Sequence, residues 1–210
     1  MLYELFDNVH ANSAELKQSF EYLKNDHYTK GPHKFRFRSY STGKWIKNQM
    51  HWSQAVKPFF QPDSINVYLG GVERNYPALE AACKEFIQST VSQLVNLELV
   101  PKGDYDVAGH QIRVAAKQGE EVSPTPEGYH QDGFDFLAIS SINNHNISGA
   151  TTKLRELATQ EEIYSNALQA NTTLVLDDRA LEHFVSPFSP LSDGRAFRDV
   201  VIITMQKRQA

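Results

Sequence analysis

The stretch Pro126-Glu-Gly-Tyr-His-Gln-Asp-Gly-Phe-Asp135 runs directly into Phe136-Leu-Ala-Ile-Ser-Ser-Ile142. Its first half is rich in turn formers and polar groups. From Phe134 to Ile142 the chain is apolar over the length of one strand. Working outward, the same alternation of short β-rich runs and turns recurs. Upstream, Lys34 to Tyr40 alternates polar and aromatic residues, Ser64 to Leu69 is a β-rich run closed by Gly70-Gly71, and Val107 to Ala115 is a third such run. Downstream come Thr172 to Leu176, stopped by Asp177-Asp178, and Asp199 to Met205. Short strands divided by turn signals predict a sandwich or barrel. Gly119 to Gly128 and Ser186 to Arg195 read as loops beside it.

Two helices are expected. One opens at Asn12, with Glu15 as its capping partner and Leu16, Phe20 and Leu23 on its apolar face. The other begins at Pro77 and carries Leu79, Cys83, Phe86, Ile87, Val91, Leu94 and Val95 as an amphipathic stripe. The fold class is therefore mainly β with flanking helices. One domain is expected over 1–210, helical over about 1–100, with the β core over about 105–206.

Composition narrows the function. The 210 residues carry 21 basic and 25 acidic side chains, a net charge of −4. A general nucleic-acid binder needs a net basic surface, so nucleic acid is not an expected partner. No apolar run approaches the roughly 20 residues that span a bilayer. The single cysteine excludes an internal disulfide and cysteine-pair zinc sites. A cytoplasmic location is expected. Residues Met1 to Lys30 would either cover the barrel or form a homodimer contact.

His130-Gln131-Asp132 is the motif with chemistry in it. On a strand, i and i+2 point the same way, roughly 7 Å apart. An imidazole and a carboxylate so placed can share an ion, as in the 2-His-1-carboxylate sites of non-haem iron enzymes. Taken alone, the tripeptide equally fits a surface histidine beside a turn aspartate. His183, in Leu181-Glu-His-Phe-Val185, is the histidine that a neighbouring strand could add. Farther on, Arg198 shares a strand face with Val200, Ile202 and Thr204. An arginine facing an apolar interior needs an anion. A dicarboxylate would meet that need, and a rim ion pair with Asp199 or Asp193 is the competing reading.

Together, these segments resemble a bacterial Fe(II)/2-oxoglutarate dioxygenase family that includes the L-isoleucine dioxygenase-like hydroxylases of free amino acids. The likeness rests on His110-Gln-Ile-Arg-Val114, Pro126–Asp135, Asn146-Ile-Ser-Gly149, Asp177–His183 with Val185-Ser-Pro187, and Phe197–Thr204, in that order. It departs at Gly149-Ala150, where the family often has two glycines. The resemblance implies a double-stranded β-helix, or jelly roll, with Fe(II) bound by His130, Asp132 and His183. It implies 2-oxoglutarate and dioxygen as co-substrates, with Arg198 on the distal carboxylate and Arg195 as the rival. The implied activity is hydroxylation or sulfoxidation of a small molecule, most simply a free L-amino acid, with release of succinate and CO2. Arg113 is the candidate for the substrate carboxylate, and Glu127 or Asp135 for its ammonium. Two other functions compete: a non-catalytic β-helix module in stress or biofilm physiology, and a cupin-like metal enzyme that does not use 2-oxoglutarate.

Overall fold

The computed structural model describes residues 1–29, 35–66 and 68–209. Lys34, the first residue of the expected Lys34 to Tyr40 strand, and Val67 of the expected 64–69 run lie outside them. In chain order the elements are β1 (Tyr3–Asp7), α1 (Ala14–Ser19), β2 (Lys24–Asn25), β3 (Arg36–Ile46), β4 (Gln49–Trp52), α2 (Ala81–Asn96), β5 (Tyr105–Ala116) and β6 (Phe136–His145). The remainder is strand: β7 (Ile147–Gly149), β8 (Thr151–Glu156), β9 (Glu162–Ala167), β10 (Thr172–Asp177), β11 (Leu181–Val185), β12 (Phe188–Pro190) and β13 (Ala196–Lys207). Short 3-10 turns flank α1 at Val9–Asn12 and Phe20–Tyr22.

An eight-stranded antiparallel sheet runs β1-β10-β6-β13-β5-β3-β2, with β4 added to β3. Facing it are β11-β8-β9 and the pair β12-β7. Single bridges at Val122–Phe188 and His130–His183 extend these smaller sheets. Two facing antiparallel sheets of this kind make the jelly roll that the sequence leads one to expect.

Strand parity assigns each side chain its layer. On β13, Val201, Ile203 and Met205 join the helices in an outer core. There they meet Leu16, Phe20, Cys83, Phe86, Ile87, Val91 and Leu94. The alternate residues turn inward. Ile112, Val114 and Val200 pack against Val185 and Phe188, and Leu137, Ile139 and Leu174 pack against Leu154 and Leu181. All seven residues of the expected α2 stripe are buried.

Several boundaries differ from expectation. Helix α1 is capped by Ser13, whose Oγ accepts from Leu16 N at 3.2 Å, and Asn12 ends the preceding 3-10 turn. Helix α2 starts at Ala81, because the Pro77 carbonyl is taken by Tyr40 N at 2.9 Å. That bond ties the approach segment to β3 in extended form. The described residues of the expected 64–69 run contain no strand and lie in or beside turns. Asn66 Oδ1 accepts from Tyr68 N and Leu69 N, and its carbonyl accepts from Gly70 N. A Cβ on Gly70 would stand 2.3 Å from the Asn66 oxygen, so only glycine closes this turn. Among the described residues, no helix is long and apolar enough to cross a membrane.

Candidate metal centre

His130 and His183 are direct cross-strand partners. His130 N donates to His183 O at 3.1 Å, and His183 N donates back to His130 O at 2.9 Å. Their rings lie 4.2 Å apart between centroids. Asp132 completes the group: one ligand atom from each of His130, Asp132 and His183 lies within 4.8 Å of the others.

Asp132 reaches this position by a route other than the expected strand. Beyond His130 the chain leaves the ladder, and Gly133 takes a φ of +86°. The N–H groups of Asp132, Gly133 and Phe134 turn toward the buried Asp178 carboxylate instead. Its Oδ1 accepts from Asp132 N at 3.1 Å, and its Oδ2 accepts from Gly133 N at 2.7 Å and Phe134 N at 3.0 Å. Burial, and secondarily the charge of Asp132, pushes the Asp178 carboxyl up to about 6, against the pull of those donors. Gln61 adds a second support by donating to Asp132 Oδ1 at 3.2 Å. Neither Asp178 nor Gln61 stands out in the sequence as a site residue.

The donor set suits a divalent metal. His130 Nδ1 donates to the Gly128 carbonyl at 2.9 Å, which leaves the Nε2 lone pair free. His183 is buried, and its Nδ1 has no hydrogen-bond partner. Burial, then the neighbouring His130, pushes its pKa down to about 3, so it is a neutral imidazole at neutral pH. Two imidazoles and one carboxylate on one side of an ion, with room opposite, match the non-haem iron pattern.

The cavity beside these groups is lined by residues from both sheets and from the 53–80 segment. Arg198 lies in its wall with Val200, Ile202 and Thr204, on the face that parity predicts. The Arg198 side chain is buried, makes no hydrogen bond or ion pair among the described residues, and leaves Nη2 without a partner. Burial lowers its pKa to about 10, which still leaves it charged at neutral pH. Arg195 is elsewhere: it is exposed and paired with Glu21 at 3.1 Å.

Arg113 is not at the site, and the expectation of a substrate contact there is corrected. It lies directly opposite Asp199 across the β5–β13 ladder, on the helix-covered face. Its Nε and Nη2 donate to the two Asp199 oxygens at 2.7 and 2.8 Å, and its Nη1 donates to Glu21 at 2.8 Å. His110, Ile112 and Val114 have the parity that faces the cavity. Asp135 also faces away and accepts from Lys207 N and Gln206 Nε2. Glu127 does line the cavity, with Oε1 3.5 Å from His130 Nε2 and Oε2 buried without a partner.

This architecture, a jelly roll with a His-Asp-His cluster and a buried arginine in one cavity, is that of the 2-oxoglutarate-dependent oxygenases. The chain belongs to the 2OG-Fe dioxygenase family, whose model matches residues 17–204. Members of the family use Fe(II), 2-oxoglutarate and dioxygen. Among solved structures, a bsmA homolog from Methylobium petroleophilum is similar, with 26% identity, a TM-score of 0.78, and coverage of 92% of this chain and 81% of the other. The IDO of Bacillus thuringiensis shares the fold at 18% identity, with a TM-score of 0.73 and coverage of 99% and 91%. The Fe(II)/α-ketoglutarate-dependent dioxygenase TqaL shares it at 14% identity, with a TM-score of 0.68 and coverage of 99% and 83%. No curated protein matches the sequence significantly.

Proposed function

We propose that the chain hydroxylates, or sulfoxidises, a free L-amino acid in a reaction that consumes 2-oxoglutarate and dioxygen. In this reading His130, Asp132 and His183 hold Fe(II), and Arg198 holds the distal carboxylate of 2-oxoglutarate. The observation that carries it is a buried guanidinium that has no anion among the described residues and lies in the same cavity as the His-Asp-His cluster. When bound, the iron and its co-substrates supply an oxidant able to remove hydrogen from a C–H bond.

The chain's own residues supply orientation. The Gly128 carbonyl fixes the His130 tautomer, and Asp178 and Gln61 fix Asp132. Such outer supports set ligand direction and affinity. Apolar walls at Ile112, Ile139, Val185 and Val200 keep water from the space where substrate would lie. Arg198 argues against the cupin-like alternative, because a metal enzyme without a dicarboxylate co-substrate needs no clamp for a distal carboxylate beside its metal. Retention of the whole ligand set argues against a non-catalytic module. Glu127, with a buried carboxylate oxygen that lacks a donor, suits the ammonium of an amino acid.

The test is succinate release from 2-oxoglutarate with Fe(II) and a panel of free L-amino acids. At least one amino acid is expected to raise succinate release well above the substrate-free rate and to yield a product heavier by one oxygen atom. Release that no member of the panel stimulates would overturn the amino-acid reading.

A further inference from the structure

Besides Arg198, three buried arginines line the cavity, Arg36, Arg38 and Arg74, and the reading above gives none of them a task. Arg38 projects from β3, and Arg74 projects from the loop bridged to Phe59 by reciprocal backbone hydrogen bonds of 2.8 and 2.9 Å. They are 7% and 1% exposed. We infer that Arg38 and Arg74 form a second oxyanion subsite, which receives the carboxylate of the primary substrate. The inference rests on the proposed function for the identity of the cavity.

The partners these arginines already have are neutral. Arg38 Nη2 donates to His110 Nδ1 at 2.6 Å. A guanidinium only donates, so His110 accepts there as a neutral imidazole. Burial, together with the two arginines, holds His110 well below the usual histidine range. Arg74 Nη2 donates to Gln61 Oε1 at 3.0 Å. The Nε atoms of both arginines are buried with no partner among the described residues. The carboxylate nearby, Asp26, is already engaged: it accepts from Arg36 Nε at 2.9 Å and from the Tyr76 hydroxyl at 3.3 Å. Arg36 is thereby paired, whereas Asp26 acts on Arg38 and Arg74 only through space, with no ion-pair contact to either.

The surroundings hold the guanidinium groups flat. Arg38 lies over Phe59 and Tyr76, 4.8 Å from each ring centroid, and Arg74 lies over Phe59 at 4.4 Å. Aromatic stacking occupies the faces of a guanidinium and leaves its in-plane N–H edge for bidentate contact with a carboxylate. Props for His110 and Gln61 would not require charge. A buried pair of cations with unpaired N–H groups does require an anion.

This subsite is distinct from Arg198. Strand β5 separates β13 from β3, and the register pairs Arg198 with Val114 and Val114 with Arg36. Two strand spacings, roughly 10 Å, therefore separate the backbones that carry Arg198 and Arg38. The two side chains therefore enter the cavity from different strands.

Thermal shift on the protein loaded with Mn(II), as a redox-silent stand-in, and 2-oxoglutarate tests the inference. The probes are the proteinogenic L-amino acids and, for each, its α-carboxamide. At least one acid is expected to raise Tm while its carboxamide does not. Arg38→Gln and Arg74→Gln are each expected to weaken that acid at least about tenfold while keeping the shift produced by 2-oxoglutarate. Equal shifts from acid and carboxamide, unchanged affinity in both variants, or no response to any acid would overturn the subsite. If a variant fails to fold, the contrast between acid and carboxamide in the wild type still decides. A missing 2-oxoglutarate shift with that contrast intact would overturn the cofactor reading and leave the subsite standing.

Discussion

Asp178 gives both of its carboxylate oxygens to three successive N–H groups of the metal-site loop. In Asp178→Asn an amide NH2 would replace one acceptor and oppose a backbone N–H. Metal affinity is expected to fall about 10- to 100-fold, the usual cost of losing an outer support, as read by Mn(II) titration of the folded variant. Unchanged affinity would mean that Asp132 is held by other groups. Arg198→Ala is expected to raise the KM for 2-oxoglutarate at least about tenfold, whereas Arg195→Ala leaves it near wild type. The reverse pattern would transfer the clamp to Arg195. At this scale the sequence is informative about residues whose chemistry is unusual for their position: His130, Asp132, His183 and Arg198. It is silent on Asp178 and Gln61, whose roles depend on backbone groups brought together by tertiary structure. Arg113 misleads because parity on β5 has meaning only once the register sets it opposite Asp199.

At the scale of elements, α2 seals the outer face of the large sheet with an unbroken apolar stripe. Leu94 is fully buried in it. Leu94→Ala is expected to cost about 2–5 kcal/mol of folding stability in urea denaturation, with the metal site intact in the folded fraction. A loss below about 1 kcal/mol would mean that the helix packs loosely. The stripe is legible because seven apolar residues recur at helical spacing. Its start is not, because Pro77 suits a first helical turn yet spends its carbonyl on β3. Strands β8 and β9 also escape a reading by pattern. Sequences such as Thr151-Thr-Lys-Leu-Arg-Glu156 and Glu162-Ile-Tyr-Ser-Asn-Ala167 are half-exposed and largely polar, so only pairing marks them as strands. The central strands β5, β6, β10 and β13 carry β-rich apolar runs and can be recognised.

For the whole molecule, the large sheet is sealed on one side by helices and open on the other to a cavity that carries buried histidines and unpaired cations. His110 and His183 are both held neutral well below the ordinary histidine range, His183 to about 3. In the unfolded chain each takes up a proton below about pH 6.5. At these two histidines the unfolded state therefore binds more protons below about pH 6.5, and their contribution to stability falls as pH falls, by up to about 1.4 kcal/mol per pH unit per histidine; Asp178, raised to about 6, opposes this below about pH 6 with one group against two. The urea midpoint of the metal-free protein is expected to drop from pH 7 to pH 5. A flat or rising midpoint would mean that these histidines are accessible to protons in the folded state.

The central claim, that the cluster binds iron and an α-ketoacid together, is tested most directly without oxygen. Fe(II) is added to the metal-free protein, followed by 2-oxoglutarate, while the visible spectrum is recorded. The account predicts a weak metal-to-ligand charge-transfer band that requires both additions and is absent in folded His130→Ala. A wild-type protein that binds Fe(II) yet shows no band with 2-oxoglutarate, or a His130→Ala protein that shows the full band, would contradict it.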